Sequence, residues 1–168
     1  DAMGSNARLG KSQYLVAEAD ESDGSFLKLS PILAVVTNLD REHMDCYRDM
    51  ADVERVFEEF MERVPFYGMV VVCQDDERLR AMLPRLTRRA VTYGTSKDSD
   101  FCANCGQRGR AKDGPHSRFS VSYKGKSLGD FELHVPGAHN VLNATAAVAV
   151  GVGLDIPPEK IREALVHF

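Results

Sequence analysis

No apolar stretch in the 168 residues approaches the ~20 that a membrane-spanning helix needs. The first residues also lack the basic-then-apolar pattern of a secretory signal, so the chain reads as soluble. A long basic run is missing too: Lys+Arg 21 stand against Asp+Glu 25, for a formal net charge of -4 and a pI near 5.7. That balance gives no electrostatic reason to expect nucleic acid, although positions 80–110 hold a local basic excess. Cysteines are few. Cys46, Cys73, Cys102 and Cys105 are too sparse for a disulfide framework and fit reduced thiols in a cytosol. Cys102-Ala-Asn-Cys105 has C-x-x-C spacing, but no second pair follows, and His116 would bring a zinc site only to three ligands. A pair of strand thiols is the simpler reading, with zinc as the alternative. A thioredoxin-type role needs the motif to open a helix, whereas this one runs into Gly106.

The composition itself, 43% hydrophobic and 27% charged, is that of an ordinary globular protein. A chain of this length buries roughly 70% of the surface its unfolded form exposes, enough for one sizeable core without disulfides or metal. Residues 13–19 (QYLVAEA) and 32–38 (ILAVVTN) are short apolar runs, the second continuous, as in a strand covered on both faces. Apolar positions then recur at three- and four-residue steps over 50–64, an amphipathic helix that Pro65 ends. The pattern repeats with a strand at 69–73 (MVVVC), a helix near 76–83 and a short strand at 90–93. Such alternation predicts an α/β fold, a doubly wound and mostly parallel sheet flanked by helices. Between 101 and 135 the pattern changes to two alternating runs around Lys124-Gly-Lys126, predicting a small antiparallel hairpin subdomain as a satellite. Residues 140–152 (NVLNATAAVAVGV) predict a buried helix capped by Asn140, and an amphipathic helix follows Pro157-Pro158 to about Val166.

Absent as well is any G-x-x-x-x-G-K-[ST] phosphate loop, and position 1 is Asp rather than Met. The expectation is a piece of a longer chain. What the sequence does carry are two acidic clusters where an open parallel sheet places its ligands, at the carboxyl ends of strands. One is Glu18-Ala-Asp-Glu-Ser-Asp23; the other is Asp40-Arg-Glu-His-Met-Asp45. Carboxylate oxygens with water and phosphate suit Mg²⁺ and a nucleotide, while solvated caps of the following helices are the competing reading. His43, set among carboxylates, is a candidate ligand or phosphate contact. A third constellation is Pro136-Gly-Ala-His-Asn-Val-Leu-Asn143, whose amides at Asn140 and Asn143 lie three residues apart at a helix start, able to read a base edge or ribose. Asn143 on an apolar helix predicts a buried amide that must find partners.

Taken together these motifs resemble the central domain of the Mur ligase family. The resemblance rests on Tyr14-Leu-Val-Ala-Glu-Ala-Asp-Glu-Ser-Asp23 with Ser25-Phe-Leu, on Val35-Val-Thr-Asn38, and on Glu42-His-Met-Asp45 with Tyr47. It extends through Val64-Pro-Phe-Tyr-Gly68 and Gly137-Ala-His-Asn-Val-Leu-Asn-Ala144, and so covers all but 101–133. It implies an ATP- and Mg²⁺-dependent amide ligase of peptidoglycan precursor synthesis, in which ATP phosphorylates a muramyl carboxylate and an amine displaces the phosphate. Within the family the pattern is most similar to the branch that joins L-alanine to UDP-N-acetylmuramate. Carried over by motif, Glu18 resembles the magnesium ligand facing the γ-phosphate. His43 resembles the partner of a second magnesium or of substrate phosphate. Asn140 and Asn143 resemble the adenine-side contacts, with His139 beside them, and Asn6 the loop approaching the UDP-sugar diphosphate.

Two departures qualify the likeness. The helix at 50–64 contains no lysine, where several relatives carry a carbamylated one; this fits the alanine-adding branch and leaves Glu58 or Glu59 as substitutes. The phosphate loop, an N-terminal UDP-binding domain and a C-terminal domain are missing, so residues 1–168 alone are expected to be the inactive central portion of a ligase. Three readings compete with the alanine-adding enzyme: the recycling peptide ligase of the same family, a metal-dependent phosphohydrolase using the two acidic clusters, and a non-catalytic structural domain. In the last case the clusters and His43 would point away from one another.

Overall fold

The computed structural model describes residues 10–19, 21–22, 24–41, 46–105, 109–111 and 114–167. The continuous apolar run Met69–Cys73 (β2) is buried at all five positions, as expected of a strand with both faces covered. Leu33–Val36 (β1) and Ala90–Gly94 (β3) flank it in parallel, with Leu33 opposite Met69 and Val70 opposite Ala90. Between β1 and β2 runs helix α1, Met50–Glu62, which buries Val53, Val56, Phe60 and Met61. Asp49 caps it by accepting from the Asp52 amide at 2.8 Å. Between β2 and β3 lies the short helix α2, Glu77–Met82, followed by a 3-10 turn at Leu83–Arg85 where Pro84 sits early in the turn.

The predicted antiparallel part is present, and its strands continue the parallel sheet. Strand β4, Phe101–Cys105, runs parallel to β3 through Tyr93 opposite Phe101 and Gly94 opposite Cys102. It begins where β3 ends, which is why six residues connect two parallel strands without a crossover helix. Short β5, Gly109–Ala111, pairs with β6, Gly114–Tyr123; β6 also pairs antiparallel with β4 and with β7, Lys126–Leu133. The result is one seven-stranded mixed sheet. At the hairpin tip Lys124 (φ 48°) and Gly125 (φ 78°) are both left-handed, the two-residue turn whose twist matches that of the strands. The Cys102–Cys105 pair falls in β4, and Cys102 Sγ lies 3.6 Å from the Thr95 carbonyl.

Helix α3, Ala138–Gly153, packs on β2, β3 and β4 through Val141, Ala144, Thr145, Val148 and Ala149. It starts earlier than predicted, because Gly137 and not Asn140 is its N-cap. Gly137 has φ 124°, and a Cβ there would meet His139 Cε1 at 2.8 Å, so only glycine lets the chain enter the helix at this point. Asn140 instead sits inside the first turn, its Nδ2 donating to the Pro136 carbonyl at 2.8 Å. Helix α4, Pro158–Val166, follows as predicted and lies on α3 and β7.

One predicted strand does not form. Residues 13–19 join no strand or helix, and Leu15 and Val16 are both 93% exposed. β1 is paired with β2 on one edge only, among the described residues, and an apolar run forms a strand only where a neighbour accepts its backbone bonds.

Candidate functional site

At the carboxyl end of β1 the chain leaves the sheet through Thr37, Asn38, Leu39 and Asp40. The exposed polar groups form a chain of bonds: Thr37 Oγ1 donates to Asn38 Oδ1 at 2.9 Å, and Asn38 Nδ2 donates to Asp40 Oδ2 at 2.6 Å. Leu39 is buried, and its amide donates 3.2 Å to Asp76 Oδ2, while Asp76 Oδ1 accepts from Leu79 N at 2.8 Å as the cap of α2. One carboxylate thus fixes both the loop after β1 and the helix after β2.

Facing this loop is the stretch that carries the first acidic cluster. The Glu21 carbonyl accepts from Gly24 N at 3.2 Å, closing a turn in which Gly24 is left-handed (φ 69°). The 3-10 turn Ser25–Lys28 then drives Phe26 into the core, its ring 5.4 Å from Phe57 and 5.0 Å from Phe60 of α1. The Tyr47 hydroxyl reaches across from the segment following the second cluster and donates to the Glu21 carbonyl. Just beyond, hydrogen bonds from Arg48 and Arg55 hold the Asp52 carboxyl well below the usual carboxylate range and fasten this segment to the head of α1.

Between the two loops lies a pocket of about 140 Å³. Its apolar floor includes Phe26, Val36, Val53 and Phe60, and its rim is polar, with Glu21, Thr37, Asn38, Asp40 and Tyr47. The structure therefore brings residues of the first acidic cluster, Ala19 and Glu21, to the same pocket as Asp40 of the second. A domain whose acidic clusters faced apart would not do this. Glu18 is exposed, one residue before the pocket-lining Ala19. His43, with Glu42 and Asp45, lies outside the described residues, and so does Asn6. The helix face turned to the pocket carries Val53, Phe57 and Phe60, whereas Glu58 is paired with Arg85 at 3.1 Å and Glu59 with Arg63 at 2.9 Å. Neither glutamate is among the described residues that line the pocket.

His139, Asn140 and Asn143 share one side of the first turns of α3, and none of them lines this pocket. Asn143 is exposed, not buried as its apolar neighbours predicted: the buried stripe runs through Val141, Ala144, Thr145 and Val148 and leaves positions 139 and 143 outward. Its amide is therefore available to a ligand. The sequence motifs include Tyr47 but give no sign of its bond to the Glu21 carbonyl, nor of that between the Asp76 carboxylate and the Leu39 amide, since both reach backbone groups distant in the chain.

Comparison with known proteins places these features in context. Residues 3–151 match the family model of the Mur ligase middle domain. The chain is 69% identical, over all of its length, to 36% of the UDP-N-acetylmuramate–L-alanine ligase of Koribacter versatilis. It spans about a third of the length of the curated relatives it matches. Among solved structures, the UDP-N-acetylmuramate-alanine ligase MurC of Thermotoga maritima superposes with a TM-score of 0.70 at 28% identity, over 89% of this chain and 32% of that one. The UDP-N-acetylmuramate:L-alanyl-gamma-D-glutamyl-meso-diaminopimelate ligase of Neisseria meningitides gives 0.75 at 25% identity, over 90% and 46%.

Proposed function

The chain belongs to the Mur ligase family, as its middle domain, and from that premise we propose that it is the ATP-binding portion of a UDP-N-acetylmuramate:L-alanine ligase. The observation that carries the reading is the meeting of both acidic loops at one pocket beside the carboxyl end of β1, where open α/β sheets bind ligands. In the proposed reaction a carboxylate oxygen of UDP-N-acetylmuramate attacks the γ-phosphorus of ATP and the bond to ADP breaks. The L-alanine amine then attacks the acyl carbon, loses a proton, and inorganic phosphate departs with the carboxylate oxygen.

Two anions must approach each other in the first step, so the site has to supply positive charge. The described rim offers oxygen donors, Glu21, Thr37, Asn38 and Asp40, the donor type that Mg²⁺ takes, commonly through one or two carboxylates with phosphate and water completing the shell. In this reading Glu18 and His43 hold Mg²⁺, which neutralises charge on the transferring phosphoryl group, and His43 also contacts substrate phosphate. Asn140 and Asn143, with His139, contact the adenine side; Asn6 approaches the UDP-sugar diphosphate. The 168 residues form the central unit of a longer cytoplasmic enzyme whose UDP-binding and C-terminal domains complete catalysis.

The test uses the full-length enzyme, measuring phosphate release that requires ATP, UDP-N-acetylmuramate and L-alanine together. Glu18→Ala and His43→Ala are expected to lower turnover at least ~100-fold, the scale of losing an electrostatic contact to a transferring phosphoryl group. Wild-type rates in both variants would sink the site assignment. The likeness to the Neisseria ligase favours one further reading, addition of a recycled peptide in place of L-alanine. Offering both amines to the full-length enzyme decides between them. Metal-stimulated phosphoester cleavage by residues 1–168 alone would instead favour a phosphohydrolase.

A further inference from the structure

We propose that Tyr47 is a positioning residue whose hydroxyl, by holding the Glu21 carbonyl, fixes the Glu18-bearing loop against the loop that follows β1. Tyr47 is 7% exposed, and a hydroxyl on so buried a side chain gains from being bonded. The acceptor is the same carbonyl that closes the turn with Gly24 N, so one oxygen receives a local bond and a long-range bond from 26 residues away. Glu21 follows Glu18 by three residues, and Tyr47 follows His43 by four. The bond therefore joins the two stretches on which the proposed phosphate and metal contacts sit. Downstream of Glu21 the loop is already anchored by Phe26 against Phe57 and Phe60; upstream, residues 11–19 are exposed and join no strand. Tyr47 thus acts at the point where an anchored turn gives way to chain that, among the described residues, joins no strand or helix. A phenylalanine fills the same space, so the hydroxyl's contribution is separable from that of the ring.

The inference rests on the ligase reading, and the variant Tyr47→Phe in the full-length enzyme tests it by three measurements. Amide hydrogen exchange in a peptide covering residues 19–29, which holds the Gly24 and Leu27 amides of the turn, is expected to quicken about fivefold, the weight of one hydrogen bond, while β2 is unchanged. Turnover is expected to fall by about the same factor with KM for L-alanine unchanged, and the melting temperature to stay within about 2 °C. Unchanged exchange at 19–29 overturns the proposal, and so does unchanged turnover. A rise in exchange throughout the chain with a lower melting temperature also overturns it, since Tyr47 would then be an ordinary core residue. Should wild-type enzyme form no amide from ATP and the two substrates, the ligase reading falls, while the exchange measurement still decides whether the clamp exists.

Discussion

Removing the Asp76 carboxylate should damage the protein in two places at once, and the two losses can be measured apart. Oδ1 caps α2 through Leu79 N at 2.8 Å, and Oδ2 accepts from Leu39 N at 3.2 Å. Losing a capping side chain costs about 1 kcal/mol. Stranding the amide of Leu39, a residue only 3% exposed, costs about 1–2 kcal/mol more. Asp76→Ala is then less stable by about 2–3 kcal/mol, a drop of about 5–10 °C in melting temperature at this chain length. Asp76→Asn keeps one carbonyl oxygen for the cap but turns an NH₂ toward the Leu39 amide, so it should lose only about 1 kcal/mol and 2–4 °C. The assay is thermal and urea unfolding of both variants beside wild type. A melting temperature of Asp76→Ala within about 1 °C of wild type would refute the reasoning, as would an Asp76→Asn variant as unstable as the alanine.

Three further outcomes follow from other contacts. Gly137→Ala places a methyl 2.8 Å from His139 Cε1 at a φ of 124°, so it should destabilise by about 1–3 kcal/mol and weaken ATP binding by the full-length enzyme, read by calorimetry. Partial burial pushes the Glu62 carboxyl up, but hydrogen bonds from Thr87 and the nearby Arg88 outweigh that and leave it below its ordinary value. A lowered carboxylate stabilises above its unfolded pKa and loses that contribution as pH falls through the folded one. Glu62→Gln should therefore be less stable than wild type at pH 7, with the gap closing below about pH 4 in a melting series. Arg162, which donates 2.8 Å to the Asp130 carbonyl, 3.2 Å to that of Leu128 and lies over the Phe131 ring, joins α4 to the outer strand β7. Arg162→Ala should cost about 1–3 kcal/mol and speed exchange in β7 before β2.

Legibility in the sequence followed the range of the forces involved. β2 was plain because five consecutive apolar residues between Gly68 and the Asp75-Asp76 pair describe a doubly covered strand without outside help. α1 was plain from its period, and the Lys124-Gly125 turn from its backbone demand. Residues 13–19 have an equally apolar pattern, yet a strand is a property of pairs, and the described chain gives them no partner. The hairpin was found but its attachment was not, because nothing local says that β4 starts level with the end of β3. Asn140 looked like a cap on residue type; the helix instead begins where Gly137 permits it, and Asn143 turned outward with it. At the candidate site the acidic motifs were visible as residue types and spacing. The Tyr47 and Asp76 braces were not, since each bonds a main-chain group, which every residue has, far away in sequence.

The central claim, that a carboxylate is activated by phosphoryl transfer from ATP, has a direct test in oxygen labelling. The full-length enzyme is given ATP, L-alanine and UDP-N-acetylmuramate carrying ¹⁸O in its carboxylate, and the released inorganic phosphate is weighed by mass spectrometry. Attack of that carboxylate on the γ-phosphorus, followed by displacement by the amine, transfers one labelled oxygen to each phosphate. Phosphate without label, released at the rate of ATP consumption, would mean that water takes the phosphoryl group, and would contradict the account.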